Sequence, residues 1–331
     1  MNIILLYMEN NSIDLNDIIN NDINDINNDI NNDIKSEEGS IKSRESNDTI
    51  DIFLGYSNPI FYCVLIYLLI SFIILITITF LYNDKLDYLF GVNQLLKYLL
   101  VLFIQFIMAL LVIYKDAKVN YTRKVVHISY FIWPQLLDII LIDYHKNLYT
   151  EIWNVWIILL LLFLANEKFR NKIKFLEIMY KAIDRPEDKP YTLFWFSTQI
   201  ISTLFIIIPF SIYFSSLDKV SLIFIPILIN GLGDGLAEPI GIRFGKHKYK
   251  TKSCCSSREY TRSYEGSSCV FIVSLIIILC FYKYFTLKRY IANVILIPIF
   301  STLTEALSPH TWDSPLITLV ICVILTLSLE I

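Results

Sequence analysis

Apolar residues in this chain gather into long, almost uncharged runs, with neither the two-residue alternation of half-buried strands nor a heptad rhythm. The runs lie at about 60–82, 94–114, 126–142, 152–165, 193–214, 220–238, 268–285, 290–307 and 315–330, and short polar connections separate them. A helix needs about 20 apolar residues to cross a bilayer, so the pattern predicts an all-α, polytopic transmembrane helix bundle of about nine spans. The run at 152–165 is the weakest of them. Residues 1–58 break the pattern. They carry the repetitive tract NDINDINNDINNDI, which offers no packable face, and are expected to form a disordered, acidic, Asn-rich tail ahead of a membrane domain at 59–331.

Composition agrees with the pattern. The 331 residues are 55% hydrophobic with a mean hydropathy of +0.54, too apolar for an ordinary soluble domain. The lipid bilayer, and no nucleic acid, is the expected large-scale partner. A formal charge of -3 divides unevenly, with -9 on residues 1–51 and +6 on the remainder. The opening MNIILLYMENN lacks the basic start of a signal peptide, and the acidity that follows argues against an organellar transit peptide. Six cysteines show no C-x-x-C spacing; most sit in apolar runs as small hydrophobes, and the adjacent Cys254 and Cys255 are candidates for palmitoylation.

Lysine and arginine set the expected orientation. Connections 115–125, 166–192 and 239–267 hold four, seven and seven of them, whereas 83–93, 143–151 and 215–219 hold one each. With nine spans the basic connections fall on one face, which the positive-inside rule makes cytosolic.

One stretch concentrates the chemistry. Asn230–Gly266 holds six of the nine glycines: Gly231, Gly233, Gly235, Gly241, Gly245 and Gly266. It also holds Asp234 and Glu238, followed by Arg243, Lys246, His247, Lys248, Lys250 and Lys252. On a helix, 234, 238, 241 and 245 share one face, and two carboxylates at that spacing suit Mg²⁺ bound together with substrate phosphates. Glycines beside them would leave room for the phosphates, and the Gly231–Gly235 backbone N–H groups would face them. The plainer alternative is a helix leaving the membrane with glycines for packing and a solvated basic loop.

Three further segments carry weaker signals on the same expected face. Tyr121–His127 reads YTRKVVH, placing Arg123 and His127 one turn apart at a span start, where they would hold phosphate oxygens or relay a proton. The string Arg262, Ser263, Tyr264, Glu265, Gly266, Ser267 repeats a cation, hydroxyls, a carboxylate and a glycine. In the last turn, Glu305 and Asp313 flank His310 and would complete a metal site, or serve as ordinary caps before Pro315. Asp138 and Asp143 lie near the other end of the third span, Asp143 solvated and Asp138 in a buried contact of unassigned role.

Taken together, these segments resemble the CTP-dependent membrane lipid-alcohol kinases: dolichol kinase, phytol kinase and the CTP-dependent diacylglycerol kinase. The resemblance covers roughly 93–331. It rests on RKxxH (Arg123, Lys124, His127), GDxxAxxxGxxxG (Gly233, Asp234, Ala237, Gly241, Gly245), the Arg262–Ser267 string, and the late Glu305, Asp313, Pro315 turn. Arg262 stands where the family usually has lysine, and Ser314 where it usually has asparagine. The likeness implies transfer of the γ-phosphate of CTP to a polyisoprenoid or related lipid alcohol of the dolichol, phytol or farnesol type.

On that implication Asp234 holds Mg²⁺, with Glu238, and then Glu305 and Asp313, as further metal ligands. Arg123, Lys124 and Arg262 neutralise the transferring group, and His127 or Glu265 accepts the alcohol proton. Nucleotide lies against the glycines, Lys246, Lys248, Arg262 and Ser263. The enzyme would sit in the endoplasmic reticulum membrane with its site facing the cytosol. A diacylglycerol kinase or a phosphatidate cytidylyltransferase-like enzyme is the nearest alternative; a membrane transporter or lipid-binding scaffold is the alternative of another class, with the helix around Gly231–Pro239 lining a pathway.

Overall fold

The computed structural model describes residues 58–81, 88–142, 148–189, 191–252, 259–309 and 312–330. The expected N-terminal tail, Asp143, the Cys254–Cys255 pair and His310 lie outside them. The described chain from Asn58 onward forms one compact unit.

Its elements are overwhelmingly helical: α1 Asn58–Leu81, α2 Tyr88–Lys115, α3 Val119–Ile142, α4 Leu148–Leu164, α5 Glu167–Arg170, α6 Lys174–Tyr180 and α7 Thr192–Ser216. A 3₁₀ turn at Val220–Ile223 then leads into α8 Phe224–Leu228, a π-helical turn at Ile229–Asp234 and α9 Gly235–Phe244. After β1 Lys248–Lys252 and β2 Glu259–Ser263 come α10 Tyr264–Cys280, α11 Leu287–Leu307 and α12 Asp313–Leu329.

Among the described residues, six helical stretches are long and apolar enough to cross a membrane. The other three expected spans fall on shorter apolar helices, Ile152–Leu164, Tyr264–Cys280 and Asp313–Leu329, so nine is an upper reading of which six meet the length criterion. Many large side chains remain exposed on the helix faces, among them Tyr67, Ile73, Phe205 and Leu287, as expected where lipid is the solvent.

The expectation of an all-α chain needs one correction. Residues of the basic connection after α9 form an antiparallel hairpin, Lys248 opposite Ser263 and Tyr249 opposite Arg262. The physical reason is alternation: Tyr249 and Thr251 turn inward while Lys248 and Lys250 are exposed, a half-buried strand pattern inside what reads as a basic loop.

Burial identifies the central element. In Val220–Phe244, 67% of the most apolar window is buried, against 11–28% for the other five long spans. Ile223, Ile225, Ile227 and Ile229 pack there against Ile278, Ile297, Ile317 and Ile321 of the last three helices. Polar contacts between spans supplement this packing, including Ser274 to Ser301 at 2.9 Å and Asn293 to Ser328 at 3.1 Å. On the other side, α2 and α3 form a helical hairpin through a tight turn in which Asp116 adopts φ 50°, a left-handed conformation that aspartate tolerates better than most residues. Consequently the start of α3 lies against α9.

Candidate active site

Asp234 ends the π-helical turn, and Glu238 follows one turn later in α9. A π turn interrupts the regular i to i-4 ladder, and such turns recur at functional sites. Here two backbone carbonyls accept from α3: Asn230 O lies 3.2 Å from His127 Nε2, and Asp234 O accepts from Lys124 Nζ at 3.0 Å. Lys124 also reaches Asp234 Oδ1 at 2.9 Å and stands 3.9 Å from Glu238, so one ammonium serves both acids. His127 Nε2 is 3.3 Å from Asp234 Oδ2. Because the two oxygens facing Nε2 only accept, that nitrogen carries the proton in the neutral ring, leaving Nδ1 as the acceptor.

Glu238 is held by three donors. Arg123 Nη2 pairs with Oε2 at 2.5 Å, while Arg185 Nη1 and Asn120 Nδ2 each reach Oε1 at 2.9 Å. Arg185 in turn forks onto Asp188, with Nε to Oδ2 at 2.9 Å and Nη2 to Oδ1 at 3.0 Å. Thr122 ties α3 to this connection by donating to the Ala182 carbonyl at 2.9 Å. Three cations therefore meet three carboxylates in a mostly buried network.

A second cluster adjoins it. Arg262, the penultimate residue of β2, donates to the Glu305 carboxylate at 2.8 Å and to its backbone carbonyl, and lies 3.3 Å from Asp313. Burial works against the Arg262 charge, but Asp313 and Glu305 outweigh it and raise the guanidinium pKa above its ordinary value. Ser267 donates to Glu305 at 2.7 Å and lies 2.7 Å from the Tyr249 hydroxyl. Burial, with the Glu305 charge behind it, pushes the Tyr249 phenol up.

Ser314 joins the clusters. Its hydroxyl is 3.4 Å from Asp234 Oδ2 and accepts from Gln199 Nε2 at 2.7 Å; its carbonyl accepts from Asn230 Nδ2 at 2.8 Å. The same Gln199 amide lies 3.4 Å from Asp313. An amide is thus present beside the last turn, supplied by α7 instead of by position 314.

The expected glycines act as packing positions. A Cβ on Gly231 would lie 2.7 Å from Phe131 Cβ, and one on Gly235 2.5 Å from Ile128 Cγ1, so α3 side chains fill the room expected for phosphates. Gly241 and Gly245 instead face Ser263, and Gly266 faces the Ala237 carbonyl, which lets α9 approach the start of α10. Ser263 caps α10 by accepting from Gly266 N at 3.1 Å. Gly233 packs loosely on Val270. The Gly231–Gly235 backbone is helical, with no open loop for a phosphate.

Glu265 pairs with the exposed His247 at 3.0 Å, and Lys246 and Lys248 are exposed beside it, outside the Asp234 network. Sequence reasoning missed Asn120, Arg185, Asp188, Gln199 and Tyr249. Only Arg185 left a trace, as a cation among acids in the D-R-P-E-D run of an otherwise basic connection.

Among the described residues no three His, Cys, Asp or Glu side chains converge as metal ligands. Of the four carboxylates expected at a metal, Glu238, Glu305 and Asp313 are engaged by arginines. Asp234 Oδ2 meets no arginine, only His127 and Ser314, at 3.3 and 3.4 Å. That oxygen fits Mg²⁺ that arrives with a nucleotide, because such an ion takes one or two carboxylates and fills its shell with phosphate and water.

Immediately beside His127, Gln199 and Ser314 opens a cavity of about 340 Å³. It runs between α2, α3, α4, α6 and α7 and is lined mainly by apolar side chains such as Leu102, Phe131, Ile158, Leu204 and Ile207. Neither the sequence nor the fold has a significant match among protein-family models, curated proteins or solved structures.

Proposed function

We propose that the protein is an integral membrane kinase that transfers the γ-phosphoryl group of CTP to the hydroxyl of a lipid alcohol. The observation that carries this reading is the junction of the two halves: the charged Asp234 network and the apolar cavity share His127 and Ser314. A lipid alcohol has that division, with one hydroxyl at a polar centre and a hydrocarbon chain in a dry slot.

Phosphoryl transfer asks the protein mainly for positioning and charge neutralisation. Asp234 would hold the Mg²⁺ of the nucleotide, which supplies charge neutralisation at the phosphates. Lys124 and Arg123 already sit against carboxylates, and a nucleotide's phosphates offer them a competing anion of higher charge. Arg262 adds a third cation within electrostatic reach of Asp234. His127 is favoured over Glu265 as acceptor of the alcohol proton, since His127 lines the cavity and is oriented by Asp234, whereas Glu265 is committed to His247. The preference for CTP rests on the sequence resemblance and on the lack of a G-x-x-x-x-G-K-[ST] phosphate loop in the chain. The endoplasmic reticulum and a cytosol-facing site belong to the same proposal.

The test is label transfer from γ-labelled CTP by the purified full-length protein, reconstituted with a panel of isoprenoid alcohols and diacylglycerol. Product formation that depends on Mg²⁺, and that unlabelled CTP suppresses at much lower concentration than ATP, is the expected result. Equal suppression by both nucleotides removes the CTP assignment, and no transfer to any acceptor removes the kinase.

A further inference from the structure

We propose that the cavity below His127 is the acceptor's chain slot and that a buried ion pair at its far end, Lys97–Asp138, sets the longest chain it takes. The inference rests on the kinase reading for the hydroxyl end alone.

Asp138 and His127 both line the cavity and both belong to α3, eleven positions apart. At 1.5 Å per residue they mark two ends about 16 Å apart. Between them the lining is mainly apolar, from Leu102 and Phe131 to Leu204 and Ile207, and polar groups there are engaged with protein: Tyr130 donates to Gln105 at 3.2 Å and Thr203 to the Gln199 carbonyl at 2.8 Å. At the far end Lys97 of α2, 1% exposed, is ion-paired with Asp138, which also accepts from Asn93 Nδ2 at 2.7 Å. Gln135 lines the same end, and its buried Oε1 has no hydrogen-bond partner.

A charged pair inside the membrane is costly, and well-packed apolar residues of similar volume often replace such a pair without loss of stability. Its place at the end of an apolar slot gives it a use. A hydrocarbon terminus pushed against Asp138 removes polar neighbours or water from a carboxylate and returns nothing, so the chain must stop short. The slot depth of about 16 Å matches one leaflet, half of a hydrocarbon core of roughly 30 Å. The depth therefore favours a short isoprenoid alcohol, of farnesol class, over phytol and dolichol, whose longer chains would have to leave the slot.

The experiment measures kcat/KM in nanodiscs for alcohols lengthened one isoprene unit at a time. In the wild type, kcat/KM is expected to fall at least about tenfold at the first unit that reaches the pair, the usual scale for a misfit in an apolar pocket. Lys97→Met with Asp138→Leu, changed together so that neither charge is left alone, moves the fall to a longer alcohol. Leu204→Trp, which narrows the slot midway, moves it to a shorter one and keeps the test decisive if the double variant does not fold. An unchanged length profile in the folded variants overturns the proposal. In parallel, an alcohol with a diazirine at its chain end should crosslink to α2 and α3 around Lys97 and Asp138 without nucleotide. Crosslinking there without transfer to any alcohol sinks the kinase and keeps the slot; transfer with crosslinks elsewhere does the reverse.

Discussion

Asp234 concentrates the consequences of a single residue. It is buried, it neutralises the buried Lys124, and it orients His127. Asp234→Asn keeps size but leaves Lys124 only the more distant Glu238 carboxylate, and breaking a buried pair in this way costs up to about 3–5 kcal/mol. The expected outcome is a lower Tm together with loss of nearly all transfer per folded molecule. Adding Lys124→Met should recover Tm and not activity, which a double-mutant cycle with both readouts would separate. Arg262→Lys keeps charge but loses the fork that spans Glu305 and Asp313, so kcat/KM should fall less than tenfold, and further for Arg262→Ala. Near-normal turnover by Asp234→Asn would remove Asp234 from the mechanism.

Among the elements, α9 is placed by what its glycines lack. Gly241→Ala puts a Cβ 2.7 Å from the Ser263 hydroxyl, pressing β2 and the start of α10 away from α9. Overpacking of this kind costs about 1–3 kcal/mol, and the shift carries Arg262 with it. Gly91→Ala in α2 is the matched control: nothing lies within 4 Å of its Cβ, and an alanine in a helix is worth about 0.5–1 kcal/mol over glycine. Thermal unfolding in detergent should therefore show opposite signs for the two changes, with kcat/KM falling only for Gly241→Ala. Two falls of equal size would mean that the close approach at Gly241 carries no special weight.

For the whole molecule, the expected outcome is that all parts of the site open to one side of the membrane. Cysteines placed at Lys118, Lys246 and Pro309 should react with an impermeant thiol reagent from the cytosolic side and not from the lumen. Labelling of position 246 from the lumen alone would overturn the topology and with it access to cytosolic CTP. The helical architecture was legible in the chain because the bilayer demands one simple thing, a long uncharged run, at each crossing. Span number was less so: the helices at 152–164, 264–280 and 313–329 are apolar yet short, and run length alone does not say whether protein or lipid covers them. The hairpin escaped notice because Tyr249 and Thr251 alternate with lysines over only a few residues.

Sequence by itself picked out most of the side chains expected to carry chemistry. Asp234, Glu238, Arg123, Lys124, His127 and Arg262 stand out because charge beside a membrane span is expensive and local motifs concentrate it. Tertiary structure decided what each one meets. It gave Glu238, Glu305 and Asp313 to arginines, left Asp234 Oδ2 to His127 and Ser314, and drew in Arg185 and Gln199 from other segments. Pairing of this kind depends on distances between residues as many as 118 positions apart, as for Asn120 and Glu238, and no local pattern records them. The cavity is likewise a property of several helices at once. Each contributes an ordinary apolar face, and only their packing leaves a slot with His127 at one end and Asp138 at the other.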